Sequence, residues 1–223
     1  MNINEWEARA SHIFLGENMF LLKDKLKFIN VNTSYLKAMH NACSEVFYST
    51  KGYGNKPHIG MLISEHNLEY VIPLSSAKRK HKSWKNVDGE RYLIYEKTSV
   101  ANLSPDDIWV QGEEKSNVKH IISVLDIKKM FPVIDGVYTI VNLNYDNNDT
   151  EELKKYKDLL NKEYSFCLKI IDKVISKANK LYSKQMSTGK ILKYCCDFKA
   201  LEKASITYSE NSMPDSGEDD YNC

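Results

Sequence analysis

No apolar run in this chain approaches the roughly 20 residues a bilayer-spanning helix needs. The longest, such as Ile121–Leu125 and Val137–Val141, fall far short of it. The start, Met1-Asn2-Ile3-Asn4-Glu5, lacks a basic region followed by an apolar stretch, so a soluble, unexported, cytoplasmic protein is expected. Cysteine is sparse and unpatterned: Cys43, Cys167, Cys195, Cys196 and Cys223 are odd in number and show neither CxxC nor Cys/His ligand spacing. That argues against a disulfide framework or a zinc motif and leaves reduced thiols. A Walker-type glycine loop, a GxSxG elbow and an HExxH pair are all missing. The histidines His12, His40, His58, His66, His81 and His120 are scattered without ligand spacing, and the carboxylates fall mostly on predicted helices or in the tail. Metal-dependent hydrolysis is therefore the class least served, and no metal or other cofactor is expected.

What is present suits one domain. The 223 residues, 42% hydrophobic and 27% charged, are enough to bury a full core and too few to make two domains the default. The formal net charge of +1 conceals an asymmetry, because Ser209 to Cys223 carries five acids and no base; without that segment the rest carries +6. A basic body with an acidic tail fits a protein that binds a polyanion, although many other domains share that balance.

The segment Trp6 to Leu22 has weak periodicity and reads as a short helix or irregular cap. Alternation at Lys25 to Phe28 suggests a strand, and Asn32-Thr33-Ser34 a helix start ahead of Tyr35-Leu36-Lys37. Two apolar runs, His58 to Ile63 and Leu68 to Leu74, are joined by Ser64-Glu65-His66-Asn67, a connection of hairpin length. Arg91 to Glu96, His120 to Leu125 and Gly136 to Leu143 are further strand candidates. Asp149-Thr150-Glu151-Glu152 then reads as an N-cap. Leu153, Tyr156, Leu160, Tyr164, Cys167, Ile171, Val174, Ala178 and Leu181 recur behind it at helical steps. A last helix is expected from about Lys190 to Lys203, followed by a tail too poor in apolar residues to pack. The predicted class is α+β, a twisted antiparallel sheet flanked by helices. The predicted organisation is an N-terminal extension at 1–24, one domain at 25–204 and an acidic, disordered tail at 205–223.

The stretch Ser75-Ser76-Ala77-Lys78-Arg79-Lys80-His81-Lys82-Ser83-Trp84-Lys85 is the most informative, since hydroxyls and five cations, with no acid, follow a strand end. Hydroxyls and backbone amides leaving a strand can hold phosphate oxygens, Lys and Arg supply long-range attraction, and Trp84 can stack a base. The same composition also suits a solvated basic loop. A second stretch, Tyr53-Gly54-Asn55-Lys56-Pro57-His58, places a phenol and an ammonium just before the first hairpin strand. In a hairpin Lys56 enters one strand where Ser75 leaves the other, so both polar clusters share one sheet edge.

In that order and spacing, the chain resembles the ToxN/AbiQ family, endoribonuclease toxins of type III toxin-antitoxin and phage abortive-infection systems. The resemblance runs from about Lys25 to about Lys203. It rests on Tyr35-Leu36-Lys37, Tyr53…Lys56…Ile59-Gly60, Pro73-Leu74-Ser75-Ser76-Ala77-Lys78, Met130-Phe131-Pro132-Val133-Ile134 and Cys196-Asp197-Phe198…Leu201-Glu202. It implies a Kid/MazF-type toxin barrel with helices against it. The family's active-site lysine falls on Lys56, its paired hydroxyls on Ser75 and Ser76, its following lysine on Lys78, and its two tyrosines on Tyr53 and Tyr35. The first hydroxyl is Ser where the best-known member has Thr, the Tyr53 to Lys56 spacing is one residue shorter, and the first 24 residues have no counterpart.

The resemblance also implies partners: a repeat-derived RNA antitoxin folded as a pseudoknot, bound in a cyclic toxin-RNA assembly, and mRNA substrates, with no DNA and no membrane. The chemistry would use the RNA 2′-hydroxyl as nucleophile, leaving a 2′,3′-cyclic phosphate and a 5′-hydroxyl. Lys56 would neutralise the phosphorane and, where neighbouring cations lower its pKa, donate a proton to the leaving oxygen. Ser75 and Ser76 would hold the phosphate, Lys78 would add charge and Tyr53 would position the phosphate or a base. Lys78, Arg79, Lys80, Lys82, Trp84 and Tyr35 would bind RNA. No general base is evident. The competing readings are a non-catalytic RNA-binding module and a MazF-like ribonuclease with a protein antitoxin.

Overall fold

The computed structural model describes residues 20–22, 25–48, 58–63, 69–114 and 116–212. Within them the strands are β1 (Leu21–Leu22), β2 (Phe28–Val31), β3 (His58–Ile63), β4 (Glu69–Ser76), β5 (Val87–Asp88), β6 (Arg91–Thr98), β7 (Trp109–Gln111), β8 (Val118–Asp126), β9 (Phe131–Val133) and β10 (Tyr138–Ile140). The helices are α1 (Thr33–Ala42), α2 (Glu151–Thr188) and α3 (Phe198–Ser212). Every described ladder is antiparallel, and the path β10-β2-β3-β4-β8-β6-β5 is open at both ends. The α+β class with an antiparallel sheet and long C-terminal helices holds. No closed barrel is formed among the described strands. Leu21–Leu22, expected within a helix or cap, instead pairs with Leu62 and Ile63.

β4 is the strand both halves of the sheet share. Glu69 to Val71 pair with Val133 to Phe131 of β9, and His58 of β3 pairs with Pro73. Leu74, Ser75 and Ser76 pair with Leu125, Val124 and Ser123 of β8. A 3₁₀ turn at Ile127–Lys129 separates β8 from β9, so β4 runs along a kinked partner and is carried from one half to the other. The main core lies between the β2-β3-β4-β9 half and the helices and is rich in buried aromatics: Phe20, Phe28, Tyr35, Tyr70, Phe131, Tyr182 and Phe198. A smaller cluster, Leu93, Ile121 and Val124, lies on the β6-β8 half beneath Ala77 and Trp84.

Helix α2 begins on Thr150, whose side chain accepts from the Leu153 N–H, and ends at Gly189, which adopts φ 64° as left-handed C-caps require. Its apolar stripe starts later than the periodicity suggests. Leu153 and Tyr156 are exposed, because the first turns project past the core. They are held instead by buried Lys157, which donates to Asp149 at 2.7 Å and to the Asn144 carbonyl at 2.7 Å.

Helix α3 starts at Phe198 and runs to Ser212, rather than from Lys190 to Lys203. Asp197 accepts from the Ala200 N–H at 3.1 Å as its cap, and the helix continues because Ser205 is buried against Tyr35. Glu202 on this helix accepts from both the Tyr70 and Tyr182 hydroxyls, each at 2.7 Å, and burial holds the Tyr70 phenol well above its usual range. Glu202→Ala removes this carboxylate from both buried phenols and is expected to lower unfolding stability by about 1–3 kcal/mol. Urea unfolding measures this; an unchanged midpoint would mean that the hydroxyls find other partners.

Candidate functional site

The last two residues of β4, Ser75 and Ser76, are exposed, and the polar stretch begins there. Ser76 lies opposite Ser123, which lies opposite Ile94, so the three form one cross-strand row. The Ser123 hydroxyl is buried with no hydrogen-bond partner among the described residues. The Ala77 N–H continues the ladder by one bond to the Ile122 carbonyl at 3.2 Å. On from this row, a groove of about 580 Å³ runs between β6 and α2, lined by Tyr95, Lys97, Ile122, Lys162, Phe166 and Lys169 among others.

Beyond the ladder the chain turns into a 3₁₀ segment, Arg79–Ser83, anchored by a residue the sequence did not single out. His81 is 3% exposed, takes the Lys78 N–H on Nδ1 at 3.0 Å, and returns its own N–H to the Lys78 carbonyl at 2.8 Å. The Nδ1 acceptor role fixes the proton of the neutral ring on Nε2. The ring packs on Trp84 at 4.4 Å between centroids.

Burial, then Lys80, Lys78 and Arg91, lower the His81 pKa from 6.5, so the folded state favours the neutral ring. A folded-state pKa below the unfolded one gives stability that is complete above pH 6.5 and is lost as pH falls through the lowered folded-state value. Between about pH 7.5 and about 5, the thermal midpoint of the wild type is therefore expected to fall more steeply than that of His81→Gln. Equal slopes would assign the titration to other groups.

Lys78, Arg79, Lys80 and Lys82 are exposed, and among the described residues none of them is in an ion pair. Two of them sit over indoles: Lys80 Nζ lies 5.5 Å from the Trp84 ring centre and Lys82 Nζ 5.6 Å from that of Trp109. Arg91, on β6, stacks on Trp84 at 4.7 Å while pairing with Asp126 at 3.6 Å. Trp109 from β7 and Arg91 from the start of β6 thus join the basic loop, a grouping no local motif announces.

Ser75, Ser76, Lys78, Arg79, Lys80, Lys82 and Trp84 are therefore brought together at one end of the sheet. Tyr53 and Lys56 lie outside the described residues; His58, two residues after Lys56, pairs with Pro73, two residues before Ser75. Tyr35 does not belong with them, and its expected RNA contact is corrected. It is 0% exposed, its hydroxyl donates to the Pro132 carbonyl at 2.9 Å and pairs with Ser205 Oγ at 2.8 Å, and its ring meets Tyr208 edge-on at 5.0 Å. Its first-turn position faces the core, pinning α1 to β9 and α3. Among the described residues, no three His, Cys, Asp or Glu side chains gather as a metal site, and no helix is long and apolar enough to cross a membrane.

The family model described as "Toxin ToxN, type III toxin-antitoxin system" matches residues 27–205. Endoribonuclease AbiQ of Lactococcus lactis subsp. lactis is 26% identical over 195 residues, covering 86% of this chain and 94% of that protein. Endoribonuclease ToxN of Bacillus thuringiensis subsp. kurstaki is 27% identical over 198 residues, covering 86% and 88%. The fold is similar to a solved structure of AbiQ, a lactococcal anti-phage endoribonuclease, with a TM-score of 0.60 at 23% identity over 84% of this chain and 99% of that one. It is similar to the same degree, TM-score 0.60 at 24% identity and the same coverage, to a structure from a type III system whose toxin is selectively inhibited by a non-coding RNA pseudoknot.

Proposed function

Because this chain belongs to the ToxN family, the toxins of type III toxin-antitoxin systems, we propose that it is an endoribonuclease. It cuts mRNA and the precursor of its own antitoxin RNA, and is held inactive by a repeat-derived pseudoknot RNA in a cyclic assembly. Its role is phage defence. The observation that carries the reading is the family match over residues 27–205, on a fold whose β4 ends in two exposed hydroxyls running directly into cations that form no ion pair among the described residues. Relatives matched along most of their length are endoribonucleases by name.

RNA carries its own nucleophile, so the protein needs to align the 2′-hydroxyl with the leaving 5′-oxygen and stabilise the phosphorane between them. Lys56 supplies charge to the phosphorane and a proton to the leaving oxygen, Ser75 and Ser76 hold the non-bridging oxygens, and Tyr53 positions the phosphate or a base. Lys78 adds charge, Arg79, Lys80 and Lys82 attract the polyanion, and Trp84 stacks a base. The groove between β6 and α2 gives the strand a path away from Ser76. The finer likeness to a Kid/MazF-type barrel is proposed for the twisted β2-β3-β4-β8 part that presents the hydroxyls. The test is to incubate the purified chain with a defined RNA in excess chelator and map the product ends. Cleavage is expected to persist and to leave 2′,3′-cyclic phosphate and 5′-hydroxyl ends. Activity lost in chelator and restored by a divalent ion, or 5′-phosphate products, would overturn this chemistry.

A further inference from the structure

The four thiols within the described residues are chemically unlike one another. Burial pushes Cys195 up to about 12 and raises Cys167 further; Cys196 is raised by its hydrogen bond to Cys43 and by burial. Cys43 goes the other way, lowered to about 5 by the Cys196 thiol that donates to it, with the Asp197 and Glu45 backbone N–H groups adding to that effect. The geometry accounts for the difference. Cys43, a half-buried residue, caps the C-terminal end of α1, its N–H on the Met39 carbonyl at 2.9 Å, and its sulfur meets the N-terminal end of α3, where the Asp197 N–H reaches it at 3.5 Å. Cys196, the residue before, is fully buried. Its N–H is held by the Lys128 carbonyl at 2.8 Å and its carbonyl by Gln185 Nε2 at 3.0 Å, so its thiol is fixed beside Cys43. A sulfur on a half-buried residue that accepts from the amide at a helix start, with a second thiol donating to it, is the arrangement that makes a cysteine an oxidation site.

We propose that Cys43 and Cys196 form a peroxide-sensitive thiol pair, Cys43 the attacking sulfur and Cys196 the resolving one, whose oxidation fastens the end of α1 to the start of α3. The oxidant is hydrogen peroxide. The Cys43 thiolate attacks the peroxide oxygen, the O–O bond breaks, and Cys43 becomes a sulfenic acid as hydroxide departs. The Cys196 sulfur then displaces that oxygen, its proton leaving with it as water, so the two electrons that reduce the peroxide come one from each thiol. A dithiol reductant reverses the link by exchange. Such a link would tie together the two helices that Tyr35, on α1, already joins through Ser205 of α3.

The experiment treats the purified full chain with a slight excess of hydrogen peroxide, blocks the remaining thiols with maleimide and maps peptides without reduction. The expected product is a Cys43–Cys196 disulfide, lighter by the hydrogens of both thiols and reopened by dithiothreitol. Cys196→Ser is expected to accumulate a Cys43 sulfenic acid that dimedone traps, and Cys43→Ser to leave Cys196 unmodified. The wild-type map decides the pairing even if a variant folds poorly. Cys43 and Cys196 both remaining free under peroxide that oxidises glutathione, or either pairing with another cysteine, would overturn the proposal. Oxidation of Cys196 in well-folded Cys43→Ser would overturn the order of attack.

Discussion

Cells expressing the Lys56→Ala chain without an RNA partner are expected to keep growing, where the wild-type chain stops growth because mRNA is cut faster than it is replaced. The size of the effect follows from what a metal-free ribonuclease lacks. The phosphorane gains negative charge as the 2′-oxygen attacks, and with no divalent ion in the proposed chemistry that charge falls to ammonium and hydroxyl groups. Removing one preorganised group of this kind typically costs about 10²–10³ in rate, enough to bring cleavage below RNA resynthesis. Lys56→Arg separates the two roles assigned to this residue. A guanidinium keeps the charge but does not release a proton near neutral pH, so rescue should be partial if Lys56 also acts on the leaving oxygen. Growth curves and northern blots of a few abundant mRNAs, with circular dichroism to establish folding, are the measurements. Arrest by a well-folded Lys56→Ala protein would remove this residue from the site.

How much of the fold and site could be read in advance depended on whether the deciding interaction was local. The β3-β4 hairpin and the α2 cap are written in alternation and in Thr150-Glu151-Glu152, which act over a few residues, and both formed as expected. The helix expected from about Lys190 starts later, at Phe198, because Gly189 and Tyr194 both take positive φ and Asp197 supplies the actual cap. Its end was misplaced because Ser205 and Tyr208, polar enough to read as tail, are held by Tyr35 from across the chain.

The same distinction runs through the site. The hydroxyls and cations of 75–85 are contiguous and could be picked out. The inward turn of Tyr35 depends on Pro132 and Ser205, and the contributions of Trp109 and Arg91 depend on strand pairings that bring them to the loop. His81 was visible as a histidine but not as the buried acceptor of the Lys78 amide, because nothing adjacent in sequence marks it as buried.

Within the basic loop, chemistry and attraction are expected to separate. Arg79, Lys80 and Lys82 are exposed and, among the described residues, outside any ion pair, so replacing all three by Ala strands no buried acid and leaves the His81 anchor in place. A phosphate that no cation of the protein neutralises keeps its condensed counterions, and the entropy of their release no longer favours binding. The triple variant should therefore bind RNA more weakly, with a salt dependence flatter by up to about one unit of slope per phosphate left unneutralised, and cleave at nearly the wild-type rate once saturated. Ser76 stands apart from these cations at the end of β4, in the row with Ser123 and Ile94, where strand pairing fixes its position. Ser76→Ala should lower single-turnover cleavage by roughly ten-fold or more with binding nearly intact, as when an oriented hydrogen bond to a charge-bearing oxygen is removed. A short labelled RNA titrated against both variants at several salt concentrations, then cut at saturating enzyme, gives both quantities. If Ser76→Ala cleaves like the wild type while the triple variant binds normally but fails to cut, the reacting groups lie beyond Lys78 in the 3₁₀ segment, and the hydroxyls at the end of β4 serve only to seat the strand.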